Sequence, residues 1–162
     1  MGKVALRPAT EEDAVFLFDL VNDPECRRNS LNSDRIAFDS HVEWLKGILG
    51  SDTRKQYILM DGDEAVGQGR LELTERGCRI SYSIIPKRRG CGYGSILLKL
   101  LNNAILTVFP SCTYSYGEVL QHNVASQKIF EELGYEAQKV DDVYCYRKLV
   151  EHYEVLYPGG CQ

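Results

Sequence analysis

The run Lys87-Arg88-Arg89-Gly90-Cys91-Gly92-Tyr93-Gly94-Ser95 constrains the fold more than any other stretch of this chain. Before it, Cys78 to Ile85 alternates like a strand. After it comes the longest amphipathic helical pattern, Gly94 to Phe109, with Ile96, Leu97, Leu100, Leu101, Ala104, Ile105 and Val108 on one face. The first turn of a helix leaves backbone N–H groups unpaired and carries roughly half a positive charge from the aligned peptide dipoles. Glycines let that backbone approach an anion closely, and the basic residues before them add a positive field. A tight turn beside a solvated basic stretch would account for one glycine. Three in alternation, ahead of a long helix, point to a pyrophosphate.

Two common phosphate motifs fit poorly. The nucleoside-triphosphate loop needs Gly-Lys-Ser/Thr, whereas Gly94 is followed by Ser95-Ile96. A dinucleotide fingerprint needs Gly-x-Gly-x-x-Gly and an acidic residue ending the next strand. Here the spacing is Gly-x-Gly-x-Gly, the preceding strands read as antiparallel, and the next strand ends at Val119-Leu120. A nucleotide-binding redox domain fails on that spacing.

With 162 residues the chain suits one core. Residues 1–150 read as a single α+β domain and 151–162 as a tail, loose around Pro158-Gly159-Gly160. Lys3 to Arg7 alternates as a strand, and Thr10-Glu11-Glu12-Asp13 resembles a capping box for a helix that Asn22-Asp23-Pro24 stops. Glu25 to Asp34 reads as irregular, and Asp39 as the cap of a helix carrying Val42, Trp44, Leu45, Ile48 and Leu49. Gln56 to Met60 and Glu64 to Leu73 form a hairpin about Asp61-Gly62-Asp63, and a further turn leads to Cys78. Beyond the long helix come a strand from Thr113 to Val119, a short helix capped by Asn123 and ended by Leu133-Gly134, and a hairpin of Tyr135 to Val140 with Val143 to Leu149.

Hydrophobic residues at 44% and charged residues at 26% exclude wholesale disorder, and a net charge of −4 argues against a nucleic-acid surface over the whole protein. No apolar run is long enough to span a bilayer, and the N-terminal stretch lacks an export signal. The six cysteines form no C-x-x-C pair, so they read as reduced thiols of a cytoplasmic protein, with no metal.

Arg89, Gly92 and Gly94 match the Gln/Arg-x-x-Gly-x-Gly/Ala signature of the GNAT acetyltransferases, and Asn123 to Tyr135 is similar to their Asn-x-x-Ser/Ala…Leu-Gly-Phe segment. The order of elements also resembles that family along nearly the whole chain. The resemblance implies a GNAT fold: a mixed, mostly antiparallel sheet of about seven strands flanked by four helices, with two strands splayed to form an acetyl-CoA cleft. It implies acetyl transfer to an amine by direct attack in a ternary complex. The amides of Gly90, Cys91, Gly92, Tyr93, Gly94 and Ser95, with Arg89, are expected on the coenzyme A pyrophosphate. Ser83, Ile84 and Ile85 are expected on the pantetheine arm, with Asn123 and Phe130 further along. Asn123 taken alone is also a good helix cap.

Many relatives carry a tyrosine as proton donor where this chain has Phe130. Ser126, one helical turn earlier, is a substitute, as are a water or one of Tyr82, Tyr93 and Tyr116. Glu118 and Glu72 are the candidate bases, and the strand N–H near Ile85 is a candidate oxyanion partner. Asn22 to Ser33, His41-Val42-Glu43-Trp44 and Gly67-Gln68-Gly69-Arg70 resemble the subgroup that acetylates amino sugars carried on nucleotides. That likeness makes Arg27, Arg28, Ser30, Asn32, His41 and Arg70 candidate acceptor-binding residues. Ribosomal-protein N-termini or another small amine, and a non-catalytic acetyl-CoA sensor, are the competing readings. Neither nucleic acid nor membrane is an expected partner, and a homodimer stays open.

Overall fold

The computed structural model describes residues 3–155, so Pro158-Gly159-Gly160 lies outside the described residues. Seven strands form one sheet in the order β1-β2-β3-β4-β5-β7-β6. They are β1 (Val4–Pro8), β2 (Arg54–Asp61), β3 (Glu64–Thr74), β4 (Gly77–Ile84), β5 (Tyr114–Leu120), β6 (Glu136–Val140) and β7 (Val143–Leu149). Every neighbouring pair is antiparallel except β4 and β5, which run parallel and meet only at Cys78↔Ser115 and Arg79↔Tyr116. Beyond that contact the two strands diverge, which is the splay the GNAT pattern calls for.

Five helices cover the sheet: α1 (Ala14–Val21), α2 (Pro24–Arg28), α3 (Phe38–Leu49), α4 (Tyr93–Val108) and α5 (Val124–Glu132). The extra one is α2, in a stretch read from sequence as irregular. Asp23 caps it by accepting from Cys26 N–H at 3.2 Å, and Pro24 takes the first position, where its missing N–H costs nothing. Asp39 lies in the first turn of α3 rather than at its cap, which is Ala37. At the start of the chain Asp13 accepts from Thr10 N–H and forms a bidentate pair with Arg7, both contacts at 2.8 Å.

Each face of the sheet has its own core. On one, Leu17, Leu45, Ile48 and Ile58 are buried with α1 and α3. On the other, α4 packs Ile96, Leu97, Leu98, Leu101 and Ile105 against the strands. Each such side chain contributes about 1.5–3 kcal/mol on burial. Asn102 is buried too, hydrogen-bonded to Ser115 of β5 and to Tyr135. Tyr153 donates from its hydroxyl to the Leu133 carbonyl at 3.0 Å and from its N–H to Asn103 at 2.8 Å, so the chain stays on the domain past Leu149.

Phe130 lies 1% exposed among Tyr146, stacked at 5.3 Å, and Tyr135, edge-on at 4.9 Å. Its ring covers Gly117 of β5, where a Cβ would come within 2.3 Å of Phe130 Cζ. Gly117→Ala should therefore destabilise the fold by about 1–3 kcal/mol through overpacking, read as a lower denaturant midpoint at unchanged slope.

Candidate active site

A cleft of about 760 Å³ opens where β4 and β5 part, walled by α2, α3, the loop between them, the glycine loop and α5. Of the residues expected to act, Ser126, Glu118, Ser83, Ile84, Arg89, Gly90, Tyr93, Gly94, Asn123 and Phe130 line it. So do Arg27, Ser30, Asn32, His41 and Arg70. Glu72, Ile85, Cys91, Gly92, Ser95 and Arg28 do not.

The glycine loop delivers α4 to one end of this cleft. Gly92 caps the helix at φ 89°, and Gly90 stands at φ 75° with open space where a side chain would be. Both conformations favour glycine, and the open flank of Gly90 leaves the backbone accessible. Tyr93 is buried and donates its hydroxyl to Asp61, which ties the loop to the β2–β3 hairpin. Cys26, Cys78, Cys112 and Cys145 carry free thiols, whereas Cys91 is disulfide-bonded and so departs from the reading of uniformly reduced cysteines.

The basic run before the glycines is engaged by acids and supplies little free field. Arg88 meets Glu64 at 2.8 Å and Lys87 meets it at 3.6 Å. Arg89 donates to Glu25 at 2.6 Å, to Asp23 at 2.8 Å and, through Nε, to the Ile84 carbonyl at 3.0 Å. Its guanidinium thus fastens α2 to the end of β4. Anion binding in the loop falls to backbone amides and the helix terminus.

The ladder also corrects the expected oxyanion donor. Ile85 N–H is bonded to the Val66 carbonyl at 2.9 Å, so it is spent on β3. Backbone groups alternate in direction along a strand, and Ile84 N–H accordingly faces the splay.

Three tyrosines were candidates for the acid, and their surroundings separate them. Tyr93 is committed to Asp61, and Tyr116 is buried against Thr74 at 2.9 Å, away from the cleft lining. Tyr82 lines the cleft, with its hydroxyl 2.8 Å from Ser126 Oγ. Burial pushes the Tyr82 phenol up to about 12, partly offset by the Ser126 hydrogen bond, so at neutral pH it is a protonated donor. Asn123 Oδ1 caps α5 by accepting from Ser126 N–H at 3.3 Å, which orients the serine.

Gln56 of β2, Gln68 of β3 and Ser83 of β4 form a hydrogen-bonded row at 2.7 and 2.9 Å, of which Gln68 and Ser83 line the cleft. Sequence reasoning passed over Gln56 and did not see that row. Next to it Glu118 pairs with Arg79 at 3.3 Å. Glu72 lies in register with Arg54 and Arg79, outside the cleft lining. Arg27 donates to the carbonyls of Val21, Asn32 and Asp34 and to Ser30 Oγ, so it organises the loop after α2. Arg28 is exposed beside Glu25, while its carbonyl meets His122 Nε2 at 3.1 Å across the cleft mouth.

Arg70 differs from these arginines. Its guanidinium lies 5.2 Å from the centre of the Trp44 ring and has no carboxylate partner among the described residues. Burial, then the nearby Arg79 and Arg54, lower its pKa, and Glu72 does not offset them. His41 is 3% exposed, stacked on Trp44 at 5.3 Å, and its Nε2 has no hydrogen-bond partner. Among the described residues no group of three His, Cys, Asp or Glu is placed to hold a metal ion, and no helix is long and apolar enough to cross a membrane.

The sheet, the splay and the glycine-capped helix define a donor cleft of the acetyltransferase kind. The chain belongs to the GNAT acetyltransferases: residues 3–136 match the family described as "Acetyltransferase (GNAT) domain". It is therefore an acetyl-CoA-dependent N-acetyltransferase, with acetyl-CoA as co-substrate. Compared by sequence with curated proteins, the chain has no match. Among solved structures it is similar to spermidine N-acetyltransferase from Vibrio cholerae in complex with CoA and spermine, with a TM-score of 0.82 at 18% identity, over 91% of this chain and 95% of that one. A domain from Methanocaldococcus jannaschii aligns with a TM-score of 0.79 at 18% identity, over 92% and 99% of the two chains. Aminoglycoside acetyltransferase AAC(6')-Ib in complex with coenzyme A aligns with a TM-score of 0.75 at 19% identity, over 91% and 95%. At such identities the likeness is one of fold.

Proposed function

We propose that this enzyme acetylates an amine on an acceptor that also carries an anionic group, with a nucleotide-linked 4-amino sugar as the acceptor class. The observation that carries this reading is Arg70: a guanidinium lining the cleft, over the Trp44 ring and with no carboxylate of its own. A half-buried guanidinium without an ion-pair partner is incompletely compensated, and a diphosphate or carboxylate of the acceptor supplies the missing partner. Of the other cleft arginines, Arg27, Arg79, Arg88 and Arg89 are already engaged, and Arg35 is exposed to solvent on the loop between α2 and α3. The same guanidinium disfavours spermidine or an aminoglycoside, whose several ammonium groups would be brought against it.

In the reaction the amine nitrogen attacks the thioester carbonyl carbon, and Ile84 N–H stabilises the developing oxyanion. As the carbon–sulfur bond breaks, the Ser126–Tyr82 pair supplies the proton that the coenzyme A thiolate takes up. The amides from Gly90 to Ser95 hold the pyrophosphate at the α4 terminus. Glu118 steadies Arg79 in the floor of the site. An N-terminal peptide of a ribosomal protein is the second reading, supported by a serine rather than a tyrosine on α5.

Thiol release measured over a panel of UDP- and dTDP-amino sugars, N-terminal peptides, spermidine and an aminoglycoside tests this. Turnover should be highest with a nucleotide-linked amino sugar, and Arg70→Gln should raise its KM about 10–100-fold, the loss of one charge-assisted hydrogen bond. Preferential turnover of spermidine, unaffected by Arg70→Gln, would exclude the anionic acceptor. No thiol release with any amine would favour a non-catalytic acetyl-CoA sensor.

A further inference from the structure

We infer that His41 is the proton acceptor for the attacking amine, through its unpartnered Nε2. This rests on acetyl transfer to an amine in this cleft, and not on which acceptor brings the amine.

His41 lines the cleft yet is 97% buried, with Nε2 left without a hydrogen-bond partner. A buried imidazole nitrogen in that state has lost water and gained nothing in exchange, a cost that a bound polar group removes. The ring is held in place by Trp44, stacked at 27°, and by Phe18 at 5.9 Å. Both contacts are apolar surfaces that fix orientation without occupying the nitrogen.

Of the carboxylates that line the cleft, Asp34 is solvent-exposed on the loop between α2 and α3 and the others are engaged. Glu118 is paired with Arg79, Glu25 with Arg89, and Glu72 does not line the cleft. The Cys26 thiol is pushed up by burial and stays protonated. Charged groups that face the cleft near His41 are Arg70 on β3, Arg27 on α2, and Asp34 and Arg35 on the loop between α2 and α3. From α1 the Phe18 ring meets it. Burial lowers the His41 pKa below the ordinary histidine value, so the ring is neutral and able to accept a proton at physiological pH.

The balance of the step is simple. The amine nitrogen bonds the carbonyl carbon, its proton passes to His41 Nε2, and the carbon–sulfur bond breaks. The thiolate takes its proton from the Ser126–Tyr82 pair. His41 then releases its proton to solvent, and the hydroxyl pair regains one.

The test is the pH dependence of kcat at saturating acetyl-CoA and acceptor, which reports groups in the ternary complex. For the wild-type enzyme kcat should fall on the acid side with a midpoint below about 6.5, since a lowered histidine protonates only there. His41→Gln and His41→Ala should lose that limb and at least about tenfold in kcat, keep their coenzyme A affinity by calorimetry, and regain rate in the Ala variant when imidazole is added. A wild-type profile without the limb overturns the assignment even if neither variant folds. So does a limb that persists in the variants, or a change confined to acceptor KM. Absence of thiol release by the wild-type enzyme with every amine would instead bring down the acetyl-transfer reading, and His41's role with it.

Discussion

Replacing Ser126 by alanine should lower kcat by about 10²–10⁴-fold, the range for loss of a positioned acid, while the KM for acetyl-CoA stays nearly unchanged. The serine is oriented from two directions, its N–H by the Asn123 side chain and its hydroxyl by Tyr82 at 2.8 Å. Tyr82→Phe should produce a loss of similar size, because either hydroxyl then stands without the partner that relays its proton. The double variant should be little worse than either single one, since residues that act as a unit are not additive. Phe130→Tyr should not rescue Ser126→Ala. The para carbon of that ring points at Gly117, so an added hydroxyl meets β5 backbone instead of the cleft. Stopped-flow thiol detection on all four proteins decides the matter. Full turnover by Ser126→Ala at saturating substrate would remove the pair from the proton path.

Much of this architecture is readable in the sequence, for reasons that differ from element to element. α4 and the β6–β7 hairpin lie within one residue of the segments that periodicity and turn residues mark out, because each carries a long pattern and clear punctuation. α2 spans too few residues for any period to show, although Asp23-Pro24 is a helix-start signal in its own right. Burial of Leu98 and Asn102 follows from packing against parts of the chain beyond α4, with Asn102 bonded to Ser115 and Tyr135, which no single-helix pattern contains. The glycine loop is equally legible as backbone geometry, but the partners of its basic residues are not. Arg89 meets carboxylates 64 and 66 residues away in the chain. The choice of Ile84 over Ile85 as the amide facing the splay depends on ladder register, and the orphaned nitrogen of His41 depends on how Trp44 and Phe18 close over it. Local chemistry announces itself in sequence; pairings across the fold do not.

Those long-range pairings make Arg89 the other position where one substitution should be felt widely. Arg89→Met leaves Asp23 and Glu25 without their cation at the entrance to the donor cleft, and frees the Ile84 carbonyl that Nε holds. Two uncompensated carboxylates next to the pyrophosphate site should weaken acetyl-CoA binding about 10–100-fold, at about 1.4 kcal/mol per tenfold. Stability should fall by about 1–2 kcal/mol, less than for a fully buried pair because Arg89 and Glu25 are partly open to solvent and screened. The pH dependence gives a second signature. Burial alone would raise the Asp23 carboxyl, but hydrogen bonds from Arg89 and the Cys26 N–H outweigh it and hold the group below the ordinary carboxylate value. A carboxyl lowered in the folded state adds stability that is complete above its unfolded pKa and is lost as pH falls through the folded one. Arg89→Met should therefore flatten the acid side of the stability profile as well as lowering its plateau. Adding Asp23→Asn and Glu25→Gln to Arg89→Met removes the repulsion and should return most of the donor affinity while leaving α2 unfastened. Calorimetric titration of coenzyme A into the three proteins separates the two effects. Equal affinity in the single and triple variants would mean that the carboxylates do not bear on the donor, and that Arg89 acts only through the position of α2.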